Sequence, residues 1–95
     1  MMIIGLLVLE LHIPASGSLK DKRQVIRSLV TRIRQTYNVS VSEVDHQDSW
    51  QRCTLAAACV SGERASAQRA LQQVSDFVED NASEYVVLEV STELM

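Results

Sequence analysis

Positions 20–34 hold six of the nine basic residues: Lys20, Lys22, Arg23, Arg27, Arg32 and Arg34. Only Asp21 opposes them in that interval. Such a cluster offers the chemistry of anion binding. Phosphate contacts ask for charge and reach rather than for base-specific geometry. A helix beginning at Ser18 would add free backbone N–H groups and a partial positive charge. The donors this reading selects are Ser18, Lys20, Lys22, Arg23 and Arg27, with Arg52 joining from farther along the chain. Trp50, the single tryptophan, supplies a ring on which a base can stack. The same residues also have ordinary roles, as solvated charges on an outer helix face and as an aromatic cap on the open end of a core.

Two other chemistries use residues from the same stretches. His12, Asp45, His46, Asp48 and Cys53 are metal-ligand types, but no pair of them has a tight chelating spacing. His12, His46 and Cys53 also make an imaginable base and nucleophile. Cys53, however, sits in an apolar run, where a thiol behaves as a small hydrophobe. His12 is accordingly an auxiliary member of the anion site at most. No metal, no cofactor and no catalytic residue is expected.

Composition sets the limits. A chain of 95 residues, 46% hydrophobic and 22% charged, is one ordinary domain spanning residues 1–95, without room for a deep catalytic chamber. Its net charge of −3 excludes an indiscriminate nucleic-acid binder. The charge is segregated, because from Asp76 onward there are six acids (Asp76, Glu79, Asp80, Glu84, Glu89, Glu93) and no base. Cys53 and Cys59, six apart in an apolar run, would lie roughly 20 Å apart on a strand, too far to bridge. The start of the chain lacks the basic region of a signal peptide, and no run approaches the ~20 apolar residues of a membrane helix. A cytoplasmic protein without a membrane association is the expectation.

The elements that must position these residues follow from hydropathy periods. Met2–Ile13 is a nearly continuous apolar strand closed by Pro14. Pro14–Ser18 is a turn cluster, and Ser18 with Asp21 three residues on resembles a capping box. Leu19, Ile26, Leu29, Val30, Ile33 and Tyr37 recur at helical spacing, predicting a helix over about 19–36 that stops at Asn38. Val39–Val44 alternates as a half-exposed strand, Asp45–Gln51 is a polar hairpin loop, and Cys53–Val60 is an apolar strand. Ala67, Ala70, Leu71, Val74, Phe77 and Val78 mark a second helix over about 63–80. Tyr85–Leu94 alternates as a last strand, with Val86, Leu88 and Val90 on one face.

The order β-α-β-β-α-β is the split-βαβ arrangement: an α+β, ferredoxin-like sandwich with a four-stranded antiparallel sheet and two helices on one face. Polarity agrees, since the two central strands would be the most apolar and the two edges carry Ser and Glu. The open sheet face, apolar along the first strand, suits a partner or a homodimer. The topology gathers the loop after the first strand, the hairpin and the turn after the second helix at one end. His12 and Ser18–Arg23 should therefore approach Trp50, Arg52 and the Asp45–Asp48 loop. The central strands carry no aromatics, so base stacking across the sheet is not expected. The loop after the first strand also lacks the paired cysteines of a metallochaperone and the glycine- and arginine-containing cradle of an acylphosphatase.

The runs LELHIP…SLKDKRQVIRSL (Leu9–Leu29) and NVSVSEV…QDSWQR (Asn38–Arg52) resemble the YlxP-like bacterial proteins, a family of unknown function. The resemblance spans essentially the whole chain. Its most specific parts are Ser18–Arg23 and Asp48–Arg52. Asp45-His46 departs from the Gly-Asp-like pairs common there, which weighs against a metal role for His46. The resemblance implies a ferredoxin-like fold and, because these proteins are typically encoded beside translation initiation and ribosome-maturation factors, a ribosome- or RNA-associated role. The expected function is a non-catalytic accessory factor that binds RNA or a ribosomal component through the basic first helix. The alternative is a protein-interaction or small-ligand regulatory module that self-associates through the sheet.

Overall fold

The computed structural model describes residues 1–95. Six elements follow one another: β1 (Ile3–His12), α1 (Leu19–Thr36), β2 (Ser40–Asp45), β3 (Arg52–Ser61), α2 (Arg64–Asp80) and β4 (Val86–Leu94). The sheet order is β2-β3-β1-β4, and every neighbouring pair is antiparallel. This is the expected ferredoxin-like sandwich, with element ends within one residue of those read from the hydropathy periods.

Alternation on the central strands decides which face the helices cover. Ile3, Leu7, Leu9 and Leu11 of β1 and Cys53, Leu55, Ala57 and Cys59 of β3 are buried beneath Ile26, Leu29 and Ile33 of α1 and Ala67, Leu71, Val74 and Val78 of α2. Each large aliphatic among them contributes about 1.5–3 kcal/mol by leaving water. Gly5 lies on the same face, and a methyl group there would come within 2.9 Å of Leu71 Cδ1 and 3.0 Å of Cys59 Sγ. A bare backbone at that position lets α2 settle onto β1.

The other face is open. Its centre is apolar, built from the cross-strand pairs Ile4–Val60, Leu6–Ala58 and Val8–Ala56. It carries no aromatic side chain on β1 or β3. No helix is long and apolar enough to cross a membrane.

Strand β4 departs from the simple alternation. The pairing register with β1 shifts between Glu10 and Leu11, so that Glu10 faces Glu89 while Leu11 faces Val87. Leu88 is the extra residue of a bulge. Tyr85 and Val87, not Val86 and Leu88, therefore turn toward the core, while Val86 and Leu88 are about half exposed (49% and 51%). A period of two cannot reveal an inserted residue, because the bulge flips every side chain on one side of it.

Candidate functional site

The end where the loops meet is built by side chains that tie one loop to another. Ser18 caps α1: its Oγ accepts from the Asp21 N–H at 3.0 Å, and the Asp21 carboxylate reaches back to the Gly17 N–H at 3.1 Å. The cap is reciprocal, as the sequence suggested, but shifted by one residue, because the shorter Asp meets Gly17 rather than Ser18. The consequence for chemistry is a correction. A carboxylate already occupies the start of α1, so the helix end by itself does not present a bare positive pole.

Lys22 is the second correction. It is fully buried (0% exposed), its Nζ donating to the His46 carbonyl at 2.7 Å and lying 2.6 Å from a Glu43 carboxylate oxygen. It therefore belongs to the interior and touches no outside phosphate. The signal was present in the sequence. In 100° steps around α1, Lys22 falls with Ile26, Leu29 and Ile33 inside an arc of about 60°, the arc that faces the sheet. What the sequence did not carry was the partner, since Glu43 comes from β2.

The Lys22 bond also holds an unusual backbone. His46 has a positive φ of 63°, the left-handed region that non-glycine residues seldom adopt, and its N–H takes Asp45 Oδ1 at 2.7 Å. Farther round the hairpin, Gln51 Nε2 donates to the carbonyls of Pro14 and Ser16, both at 3.1 Å, and Ser49 Oγ accepts from the Arg52 N–H at 3.0 Å. Lys22 and Gln51, one from each distinctive segment, thus pin the same hairpin from two sides.

The residues that remain outward are Lys20, Arg23 and Arg27 on α1 and Trp50 on the hairpin. Trp50 is 56% exposed, so it does not close the core. Lys20, Arg23 and Arg27 share a second arc of α1 of about 60°, centred some 120° from the buried one. Arg34 lies on the same arc, a residue the sequence reading left out of the site although it follows Arg27 at a heptad interval. Its Nη2 donates to the Val41 carbonyl of β2 at 2.8 Å, which fixes the stripe on the β2 side of the molecule. The stripe is about 21 Å long from Lys20 to Arg34. The ion pairs in the structure join Lys22 to Glu43 and Arg52 to Glu10, so no carboxylate lies within 4.0 Å of the stripe's cations.

Two expected members lie elsewhere. His12 and Arg52 are register partners on the open sheet face, across the sheet from α1. Arg52 Nη2 is 3.7 Å from Glu10, whose other carboxylate oxygen accepts from the Thr54 hydroxyl. Strand polarity brought these two to the correct end, and the alternation of β1 and β3 put them on the wrong face. Nor do His12, Asp45, His46, Asp48 and Cys53 converge: no group of three His, Cys, Asp or Glu side chains is arranged to hold a metal ion. Cys53 is buried, and desolvation, followed by the charge of the adjacent Glu43, pushes its thiol far above its ordinary range. A thiol held neutral is a poor nucleophile.

Comparison with known proteins agrees with the fold and adds a family. Among solved structures, two de novo designed proteins are similar: Foldit4, with a TM-score of 0.56, 8% identity and coverage of 100% of this chain and 97% of that one; and LFR1 1, a designed ferredoxin fold, with a TM-score of 0.52, 8% identity and coverage of 100% and 84%. These likenesses concern the fold alone. At the level of sequence, the uncharacterized protein YlxP of Bacillus subtilis (strain 168) is 41% identical over 76 residues, covering 80% of this chain and 83% of that protein. Residues 4–92 match the family model described as protein of unknown function (DUF503), and the chain belongs to that family.

Proposed function

We propose that this protein is a non-catalytic accessory factor that binds structured RNA, such as ribosomal RNA, along the β2-side flank of α1. The observation that carries this reading is the stripe itself: Lys20, Arg23, Arg27 and Arg34 on one arc, none of them neutralised by a carboxylate. The tethers at the loop end consume Ser18, Lys22 and Gln51, and leave Lys20, Arg23 and Trp50 free to meet a partner. The stripe supplies phosphate contacts, which position without reading sequence, and Trp50 offers a face for an unpaired base. The acids of β4, Glu89 and Glu93, lie at the opposite edge of the sheet, away from the stripe.

A mobility-shift titration against ribosomal RNA tests the reading. Binding is expected to weaken on Lys20→Ala, Arg23→Ala or Arg27→Ala. Affinity that is insensitive to salt, or unchanged in the triple variant, overturns it.

A second reading rests on the open sheet face, where Ile4 and Val60 are exposed beside half-buried Leu6 and Val8. Such a surface favours a second copy of the chain. Light scattering decides: a strictly monomeric protein at high concentration removes this reading without touching the first.

A further inference from the structure

A cleft of about 460 Å³ opens on the other flank of α1, between that helix, the turn before it and the turn joining α2 to β4. Its size falls within the range of small-molecule sites, roughly 300–1,000 Å³. Small side chains make the space, among them Ala15, Ser28 and Ser83. The apolar lining is Ile13, Ala15, Val25 and Tyr85, of which Ile13 and Tyr85 are buried and Ala15 and Val25 present the accessible surface. The Tyr85 hydroxyl is already spent, donating to the Val78 carbonyl, and burial raises its pKa, so the ring is a neutral surface.

Around this lining stand charges of both signs. Asp21 uses one carboxylate oxygen on Gly17, and the other is free. Glu84 has no partner among the ion pairs or the hydrogen bonds, and the side chains of Gln24 and Ser28 are likewise unengaged. Arg32 closes the cleft. Its guanidinium lies 5.8 Å from the centre of the Phe77 ring and its Nη1 is 3.5 Å from Asn81 Oδ1, and no carboxylate pairs with it. The walls therefore present two anions and one unpaired cation around a small apolar patch at Ala15 and Val25.

From this arrangement we infer that the cleft binds a free basic amino acid of the lysine or arginine type. Such a ligand carries two cations and one carboxylate, the inverse of the wall. Its carboxylate pairs with Arg32, its ammonium and side-chain cation pair with Asp21 and Glu84, and its methylene stem lies against Ala15 and Val25. The site is independent of the RNA-binding reading, because Ser28 and Arg32 lie about 110° and 150° around α1 from the centre of the basic stripe.

The test is an amide NMR titration of the intact protein with L-arginine, L-lysine and, as a contrast, L-glutamate. The expected result is saturable shifts at Ser28, Ser83 and Glu84 with L-arginine or L-lysine and none with L-glutamate. Glu84→Gln should weaken binding about tenfold, the loss of one charge-assisted contact. Ser28→Met, which fills the cleft from an exposed helix position, should abolish it. Neither variant should alter RNA affinity. The inference is overturned by a lack of saturation below about 10 mM, by equal response to L-glutamate, by shifts spread over Glu89 and Glu93 rather than the cleft, or by unchanged binding in both variants.

Discussion

Lys20 and Lys22 are two residues apart and have opposite fates. Lys22 is buried with its charge against Glu43, and removing one partner of such a pair leaves the other uncompensated. Lys22→Ala is expected to destabilise the fold by about 3 kcal/mol, read as a lower urea midpoint. Lys20→Ala and Arg23→Ala, at exposed positions, should leave stability within ~0.5 kcal/mol while weakening RNA binding. If the two kinds of variant behaved alike, the division between tether and contact residue would fall. Cys53 belongs to the same scale. Its folded pKa is raised from an ordinary value of 9.0, so above that pH the unfolded chain loses a proton that the folded chain keeps. Stability is then full below about pH 9 and declines as pH rises further. Tyr85, raised from 10.0, adds to the decline in the same direction. Urea midpoints at about pH 8 and about pH 10.5 should differ more in the wild type than in Cys53→Ala.

Among the elements, the β2–β3 hairpin is the one the tethers serve. It carries Trp50, and its shape depends on His46 in a left-handed conformation. That conformation costs an L-residue about 1–2 kcal/mol, whereas glycine avoids it at an entropic cost of roughly 0.5–1 kcal/mol. His46→Gly is therefore expected to stabilise the protein by ~0.5–1 kcal/mol, a rise of a few degrees in Tm. Because the Lys22 contact is to the His46 carbonyl and not to its ring, the tether survives this substitution. A fall in Tm would show that the imidazole itself holds the loop. The bulge in β4 works at the same scale, turning Val86 and Leu88 outward on an edge strand that Glu89 and Glu93 then keep from pairing with other chains.

For the molecule as a whole, the sheet order sets the field. With β2 and β4 at opposite edges, the basic stripe of α1 and the acids Glu89 and Glu93 of β4 face apart, and the net charge of −3 is laterally divided. On the proposed function, a polyanion meets the stripe side of the molecule. With about four phosphate contacts, the slope of log K against log salt should be near −3, and removing Arg27 should make it shallower by about 0.7–0.9. A slope near zero would mean that the stripe is solvated surface and nothing more.

The amino-acid sequence by itself determined the elements, their order and the loop end where the distinctive segments meet. Periods of 2 and 3.6 reflect which side of each strand or helix must leave water, and that is a local property. Even the burial of Lys22 was legible around α1, in line with Ile26, Leu29 and Ile33. Only the tertiary structure decided which side chains share a surface. It took partners distant in sequence to neutralise Lys22 with Glu43, to pair Arg52 with Glu10 across the sheet from α1, and to leave Lys20, Arg23, Arg27 and Arg34 without a counter-ion. Asp21, Arg32 and Glu84 likewise come to line one cleft only when the turn after α2 folds back beside α1. Charge pairing depends on distances between elements, and hydropathy periods carry no information about those.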